Sequence, residues 1–427
     1  MARHFFASGK GLLSVEDESL EAGAGGEDGS QEALVSMQAA EEAELAQQNV
    51  DELDAGIEAG VEGTVALENL RLTLRAANEN GGMDRFGAMM AKQHADFILQ
   101  KFLKSPTGIT MPSNESFGGA GSRVGAGVLT MEGIKDSAKR IWDAIVKFLK
   151  KMKDKVMEWV HKLFGAGEGL VKRAKAVAAR AEKTKSNGKS KPIDDSSLFN
   201  KLAVDGAVDV AKYKAAITHV KAITDKMVTD SAIINKAIKK SIEDMEKLTA
   251  ASVLADVSSI KSAFENAIKS AVGGAAANEQ LPGNVKFRVM ALATATAPAV
   301  PFGAPHNGKP ESSSGKVPVL DIDGIGMICG QVEAIGKTLI ETRSSAKDSE
   351  EAYKNLEKFA AEQTKQGNVD DGAADAKGAH AATIALFKSM SGNIDGPIKA
   401  LAGYCLKTGR LALDYCDASL TQLESKD

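Results

Sequence analysis

The chain has 427 residues, enough for two or three domains, with 43% hydrophobic but only 5% aromatic residues, a mixture that favours Ala-rich helical cores over a large β-sandwich. Three cysteines, Cys329, Cys405 and Cys416, do not make a disulfide framework and point to a reduced compartment. The start, MARHFFASGKGLLSVEDE, lacks the uninterrupted apolar core of a secretory signal, and no apolar run is long enough to span a bilayer.

A net charge of −4 hides a strong segregation of sign. Between Lys10 and Arg71 lie sixteen acidic residues and no Lys, Arg or His, whereas Lys135 to Lys191 holds seventeen Lys/Arg against six Asp/Glu. Residues 1–68 carry sixteen acidic and two basic residues, so their loss takes the formal net charge from −4 to +10. Blocks of opposite sign in one chain are expected to be separated or neutralised at some stage.

In chain order, residues 11–60 are rich in Gly, Ala and Glu with few large apolar side chains. Such a segment buries too little surface to offset its ordering entropy, and it reads as disordered or loosely helical. Leu67, Leu70, Leu72 and Leu74 predict a short helix stopped at Asn80-Gly81-Gly82; Phe86, Met89, Met90, Phe97, Ile98, Phe102 and Leu103 predict a second, closed by Ser105-Pro106. Together these form a hairpin. The glycines from Gly118 to Gly127 predict an exposed linker.

The clearest helix is predicted over 133–164. Ile134, Ala138, Ile141, Ile145, Phe148, Met152, Val156, Trp159 and Leu163 recur every three or four residues, and lysines cover most of the remaining surface. Gly165 and Gly167 are expected to stop it, with a second basic helix over 170–183 and a polar linker after it. Residues beyond 193 read as one helical unit, with helices near 250–272, 326–364, 375–390 and 397–423. It is interrupted by β-prone stretches at 284–295 and 316–322 around a Pro/Gly/Ser-rich loop.

Three tasks fit the basic helix: neutralising nucleic-acid phosphates, lying on an anionic membrane, or packing its apolar stripe on a partner with the lysines solvated. Lys147, Lys150, Lys151 and Lys155 are the candidate anion contacts; Trp142, Phe148 and Trp159 mark the candidate partner or membrane face. Lysine rather than arginine dominates, so any DNA contact would be non-specific.

No catalytic constellation competes with the charge layout. Val317-Pro318-Val319-Leu320-Asp321-Ile322-Asp323-Gly324 has the strand and Asp-x-Asp of haloacid-dehalogenase phosphatases, but Ile325 stands where threonine is expected and no strand–helix series surrounds it. Helix capping by Asp321 and Asp323 is the simpler reading. Cys329 occupies the third glycine position of a dinucleotide loop at Gly324-Ile325-Gly326, and the six histidines form no ligand pair, so neither cofactor nor metal is expected.

One short pattern remains: a small residue, any residue, then glutamate. It occurs at Ser14-Val15-Glu16, Ser19-Leu20-Glu21, Ser30-Gln31-Glu32, Gly56-Ile57-Glu58, Ala66-Leu67-Glu68 and Ser113-Asn114-Glu115. All lie in stretches read as flexible, where a protease can bind an extended strand.

The run Glu115-Ser116-Phe117-Gly118-Gly119, followed by Thr130-Met131-Glu132-Gly133-Ile134-Lys135 at the head of a long Trp/Lys helix, resembles internal head proteins of giant tailed phages. The resemblance is specific over about residues 60–170. It implies a non-enzymatic precursor made in the host cytoplasm, carried in the prohead core beside other core or capsid proteins, and trimmed after glutamate by a prohead protease. By position it places the main cut between Glu115 and Ser116, and a second between Glu68 and Asn69. The mature basic form would then lie among packaged DNA inside the head and leave with it. A membrane-active effector acting through residues 133–164 and a scaffold docking a sibling protein stand as alternatives, and the oligomeric state is left open.

The expected architecture is mainly α. It comprises an acidic disordered pro-region (1–60), a helical hairpin belonging to the propeptide (61–105), a Gly-rich linker (106–132), basic amphipathic helices (133–183), a polar linker (184–197) and a helical bundle (198–427) with a small β or extended insertion near 281–323.

Overall fold

The computed structural model describes residues 27–82, 84–103, 120–184, 191–247, 254–272, 280–283, 285–286, 306–307, 316–366 and 374–425. The helices in chain order are α1 (Glu27–Glu79), α2 (Arg85–Leu103), α3 (Ala120–Lys183), α4 (Ser196–Leu202), α5 (Val210–Glu246), α6 (Leu254–Val272), α7 (Ile322–Gln366), α8 (Ala374–Asn393) and α9 (Gly396–Glu424). The strands are β1 (Ile193–Asp194), β2 (Gln280–Leu281), β3 (Val285–Lys286), β4 (His306–Asn307) and β5 (Lys316–Val317). The chain is thus mainly α with a helical bundle and minor strands, as its composition requires.

α3 is the axis of the fold. At 64 residues it would be roughly 96 Å long, and it packs most extensively on α1 and α7. Its buried residues keep a strict seven-residue repeat: Trp142, Leu149, Val156, Leu163, Leu170 and Val177 in one row, Ile145, Met152, Trp159, Ala166 and Arg173 in the next. α1 carries the same period in smaller side chains, with Ala43, Val50, Ile57 and Thr64 in one row and Ala46, Leu53, Gly60, Leu67 and Leu74 in the other. A heptad seam of this kind belongs to helices that run nearly parallel or antiparallel with interlocking side chains. α1 is antiparallel to α3: Gly56 faces Phe148, Gly60 faces Ile145, and Gly63 faces Ile141.

The acidic segment therefore differs from its expected state. From Glu27 it is one continuous helix that includes the short helix predicted at 61–80. Its own apolar surface is small, but small residues opposite the large side chains of α3 let the two backbones approach, and the burial that offsets ordering comes from the partner helix. Gly81 and Gly82 end it at φ of 103° and 91°, with the Gly82 N–H donating to Ala77 O at 3.1 Å. Residues 120–132, expected as linker, form the start of α3. The rest of that linker, 106–119, lies outside the described residues, as do residues 1–26 of the pro-region.

Gly165 and Gly167 do not stop α3. A Cβ added at Gly167 would sit 2.9 Å from Gly336 O, and one added at Gly336 would sit 2.8 Å from Gly167 O. These two glycines let α3 and α7 touch backbone to backbone. Lys150 opposite Glu357 and Lys175 opposite Glu333 show the antiparallel sense of that pair. α9 runs parallel to α3, with Leu170 under Gly409 and Arg173 bridging Asp414 and Asp417 at 2.7 and 2.8 Å. One hydrophobic cluster extends from Ala43 to Leu423 and takes in α3 from Ile134 to Ala181, so the basic helix and the C-terminal helices share a core.

The described part of the expected insertion carries short strands. β1 pairs antiparallel with β5 (Ile193 opposite Val317), and β2–β3–β4 form a second antiparallel sheet that turns through Pro282-Gly283, where Gly283 has φ 79°. Ile322, read as strand, opens α7 instead, because Asp321 Oδ1 accepts from Gly324 N at 2.8 Å and caps the helix there.

A buried polar junction pins α1, α5, α7 and α9 together. Asp395, at φ 54° before α9, accepts through Oδ1 from Asn235 Nδ2 at 3.0 Å and from Ser349 Oγ at 2.6 Å. Its Oδ2 is buried without a hydrogen-bond partner among the described residues. Burial raises the Asp395 carboxyl above its ordinary value, against the lowering effect of those two hydrogen bonds. Beside it Lys399 pairs with Asp54 of α1, whose carboxyl burial also raises.

Two predictions follow from this packing. Gly167→Ala or Gly336→Ala should destabilise the fold by about 1–2 kcal/mol despite the better helix propensity of alanine, because the blocking atom is a backbone carbonyl. Gly165→Ala, with nothing within 4 Å, should stabilise it by about 0.5–1 kcal/mol in the same urea titration. The second concerns pH. A carboxyl raised in the folded state contributes stability below its unfolded value of 3.8, and that contribution is lost as pH rises through the higher folded value. Asp395→Asn keeps the left-handed backbone and an acceptor oxygen. It should therefore be about 1 kcal/mol more stable than wild type at pH 7, with the advantage shrinking towards pH 4.

Candidate functional site

On the solvent side of α3, Lys147, Lys150, Lys151 and Lys155 fall at i, i+3, i+4 and i+8 and all are exposed. The heptad seam turns them away from the core, so the predicted lysine face exists as a face. Carboxylates interrupt it. Lys155 Nζ donates to Glu158 Oε2 at 2.7 Å, and Lys162 Nζ lies 3.3 Å from Oε1 of the same residue. These hydrogen bonds, that from Lys155 foremost, hold the Glu158 carboxyl below its ordinary value. Lys150 sits 3.5 Å from Glu357 of α7. Lys147 and Lys151 have no ion partner among the described residues, which leaves them the best placed of the four to meet an external anion.

The acidic helix does not cover these lysines. Its pairs to other helices reach the opposite side of the bundle: Asp54 to Lys399 on α9, and Glu58 and Glu62 to Lys388 on α8 at 3.2 and 3.0 Å. Among the described residues α1 meets α3 through apolar and glycine surface, with Phe148, Ile145 and Ile141 lying over Gly56, Gly60 and Gly63.

Trp142, Phe148 and Trp159 are not a free face. Trp142 is buried edge-on against Phe387 of α8, with ring centroids 5.4 Å apart; Trp159 is 1% exposed; and Phe148 lies half-buried over Gly56 of α1. The partner that the amphipathic pattern demanded is the chain's own α1, α7 and α8. Among the described residues no helix is long and apolar enough to cross a membrane.

The two cut positions are placed very differently. Glu68 and Asn69 lie inside α1, next to fully buried Leu67. Arg71 holds the Glu68 carboxylate through Nε at 3.1 Å and Nη2 at 2.8 Å, and Asn69 O accepts from Thr73 Oγ1 at 3.0 Å. A protease that reads an extended strand meets a packed helix here, which corrects the expectation of a flexible site. Gly56-Ile57-Glu58 is protected in the same way. Glu115 and Ser116 lie outside the described residues, in the chain between α2 and α3.

The other candidates resolve as structure. Asp321 is the cap of α7 and also meets Lys214 Nζ at 3.3 Å; the Gly324 N–H foremost holds its carboxyl below the ordinary range. Asp323 lies in the first turn of α7. The three cysteines are free and buried, and burial pushes Cys405 up to about 11, away from the nucleophilic thiolate. No cluster of three or more metal-ligating side chains occurs among the described residues.

One feature escaped the sequence reading. α2 carries two apolar stripes. Ala88, Ala91, Ala95, Ile98 and Leu99 face the core, whereas Phe86 (65% exposed), Met89, Met90 and Phe97 (67% exposed) face outward beside a shallow groove bounded by Leu70, Leu74 and His94. The apolar residues at 86, 89, 90 and 97, opposite a second apolar row, were the available signal.

No curated protein and no solved structure matches the chain. The family model of the phiKZ-like phage internal head proteins matches residues 30–418, from the first turns of α1 into α9, and so takes in the acidic helix, the lysine face and the C-terminal helices as one unit. The chain belongs to the phiKZ-like phage internal head proteins.

Proposed function

We propose that this chain is a non-enzymatic component of the phage head, made in the host cytoplasm and packed into the prohead core. There a prohead protease cuts it between Glu115 and Ser116, and its α3 lysines then lie against packaged DNA. The family match over residues 30–418 carries the location. What supports the cut is the contrast among small-x-Glu sites: Glu58 and Glu68 are locked in α1, whereas Ser113-Asn114-Glu115 falls between two helices. What supports the DNA contact is the exposed lysine row with Lys147 and Lys151 available. Lysine ammonium groups neutralise phosphate without reading bases, so this association is non-specific and salt-dependent. Residues 1–115 hold twenty acidic and eight basic residues, so a chain beginning at Ser116 has a formal net charge of +8 instead of −4.

Nothing in the fold favours the membrane-active alternative, since the apolar side of residues 133–164 is spent on the core.

The test of processing is mass spectrometry of the chain from purified particles. The expected N-terminus is Ser116; a particle-derived chain beginning at Met1 or Ala2, with 115 and 116 joined in every peptide, overturns the cut. The DNA contact is checked separately by titrating duplex DNA against salt. Lys147→Glu with Lys151→Glu should flatten the dependence of log affinity on log salt by roughly two, with unchanged thermal stability.

A further inference from the structure

Cleavage between α2 and α3 separates the α1–α2 hairpin covalently from the chain that begins at Ser116, and on connectivity alone the hairpin would be lost. The structure assigns a different role to the α1–α2 hairpin: after the cut it stays seated on α3 as a non-covalent subunit, and the partner of the α3 seam is this acidic hairpin. The inference rests on the cut proposed above, but its physical basis is independent of where in the particle that cut occurs.

The contacts that hold the hairpin lie on α1, more than fifty residues along the chain from the severed bond. Val50, Ile57 and Val61 are fully buried, and Gly60 lets the α1 backbone close on α3, since a Cβ there would come within 3.0 Å of Ile145 Cγ1. This is a heptad seam, the surface by which separate helical chains recognise one another. The electrostatics act in the same direction. Lys399 has a side chain only 7% exposed, and Asp54 of α1 neutralises it; withdrawing α1 strands a buried ammonium. Lys388 likewise loses Glu58 and Glu62. Cutting the chain changes none of this. It converts an intramolecular docking into a bimolecular one, so that retention depends on concentration, and a prohead core is crowded.

Three consequences follow. The formal charge of the nicked assembly does not jump to that of the chain beginning at Ser116; the reversal requires a second event that lifts α1 from α3. Glu58 and Glu68 remain shielded, so further trimming of the hairpin stalls. The apolar side of α3 stays covered in the processed protein.

The experiment uses the full chain with Ser113–Ser116 replaced by the recognition sequence of a site-specific protease, cut to completion in vitro. Native mass spectrometry and size-exclusion chromatography at low micromolar concentration should show both fragments in one species at the mass of the uncut chain, parting only in concentrated urea. Elution of the hairpin fragment by itself without denaturant overturns the proposal. In a nicked Gly60→Leu variant the fragments should part at least about tenfold more readily, while the uncut variant keeps its helical circular dichroism. Equal retention in that variant would show that the α1–α3 seam is not the holding surface and would also overturn the assignment. An uncut chain in particles would sink the processing reading yet leave this result standing, whereas fragments that separate sink this inference alone.

Discussion

Everything in this protein depends on close approach along α3. A helix of 64 residues containing seven glycines forfeits about 7 kcal/mol in propensity relative to alanine, and it persists only because neighbouring helices bury both sides of its seam. The glycines that weaken the isolated helix make that burial available. Gly167 against Gly336 removes the side-chain spacer between α3 and α7, and the Gly56, Gly60 and Gly63 row does the same from the α1 side. Large residues on α3 (Phe148, Ile145, Ile141) then fill space that two ordinary helices would leave between their axes.

This arrangement gives the segregated charge a particular meaning. An acidic helix and a basic helix lie side by side, and the described part of their contact is made through carbon. Among the described carboxylates of α1, Glu68 is held by Arg71 of the same helix and Asp54, Glu58 and Glu62 reach Lys399 and Lys388, while Lys147 and Lys151 of α3 are exposed. The acidic block therefore tempers the lysine face by its field, which reaches about a Debye length and weakens with salt, and not by occupying it. The exposed lysine row of α3 is thus formed as soon as the chain folds.

The polar junction around Asp395 shows how the bundle fixes its register. Heptad seams of small and aliphatic residues tolerate sliding by a repeat, because neighbouring layers are chemically alike. A buried Asp395 that must meet Asn235 and Ser349, beside a Lys399 that must meet Asp54, allows one alignment of α1, α5, α7 and α9. The cost is a buried carboxylate with one oxygen unsatisfied among the described residues, an exchange of stability for specificity of assembly.

The sequence by itself determined the helical class, the existence of the α2, α6, α7, α8 and α9 helices to within a few residues, the lysine face of α3, the capping role of Asp321 and the family resemblance. Each of these rests on local chemistry: period, capping, charge and short motifs act over a few residues and are written in order along the chain. It misplaced what depends on a distant partner. Gly165 and Gly167 read as a stop because a glycine costs an isolated helix, and the acidic segment read as disordered because Ala43, Ala46 and Gly60 offer little surface alone. Trp142, Phe148 and Trp159 read as a partner or membrane face, because a sequence shows that a stripe is apolar but not that the chain's own α1, α7 and α8 cover it. Only the tertiary structure decided these points, since the free energy of a close helix–helix contact belongs to the pair, and residues 56–63 and 141–148 are neighbours in space alone.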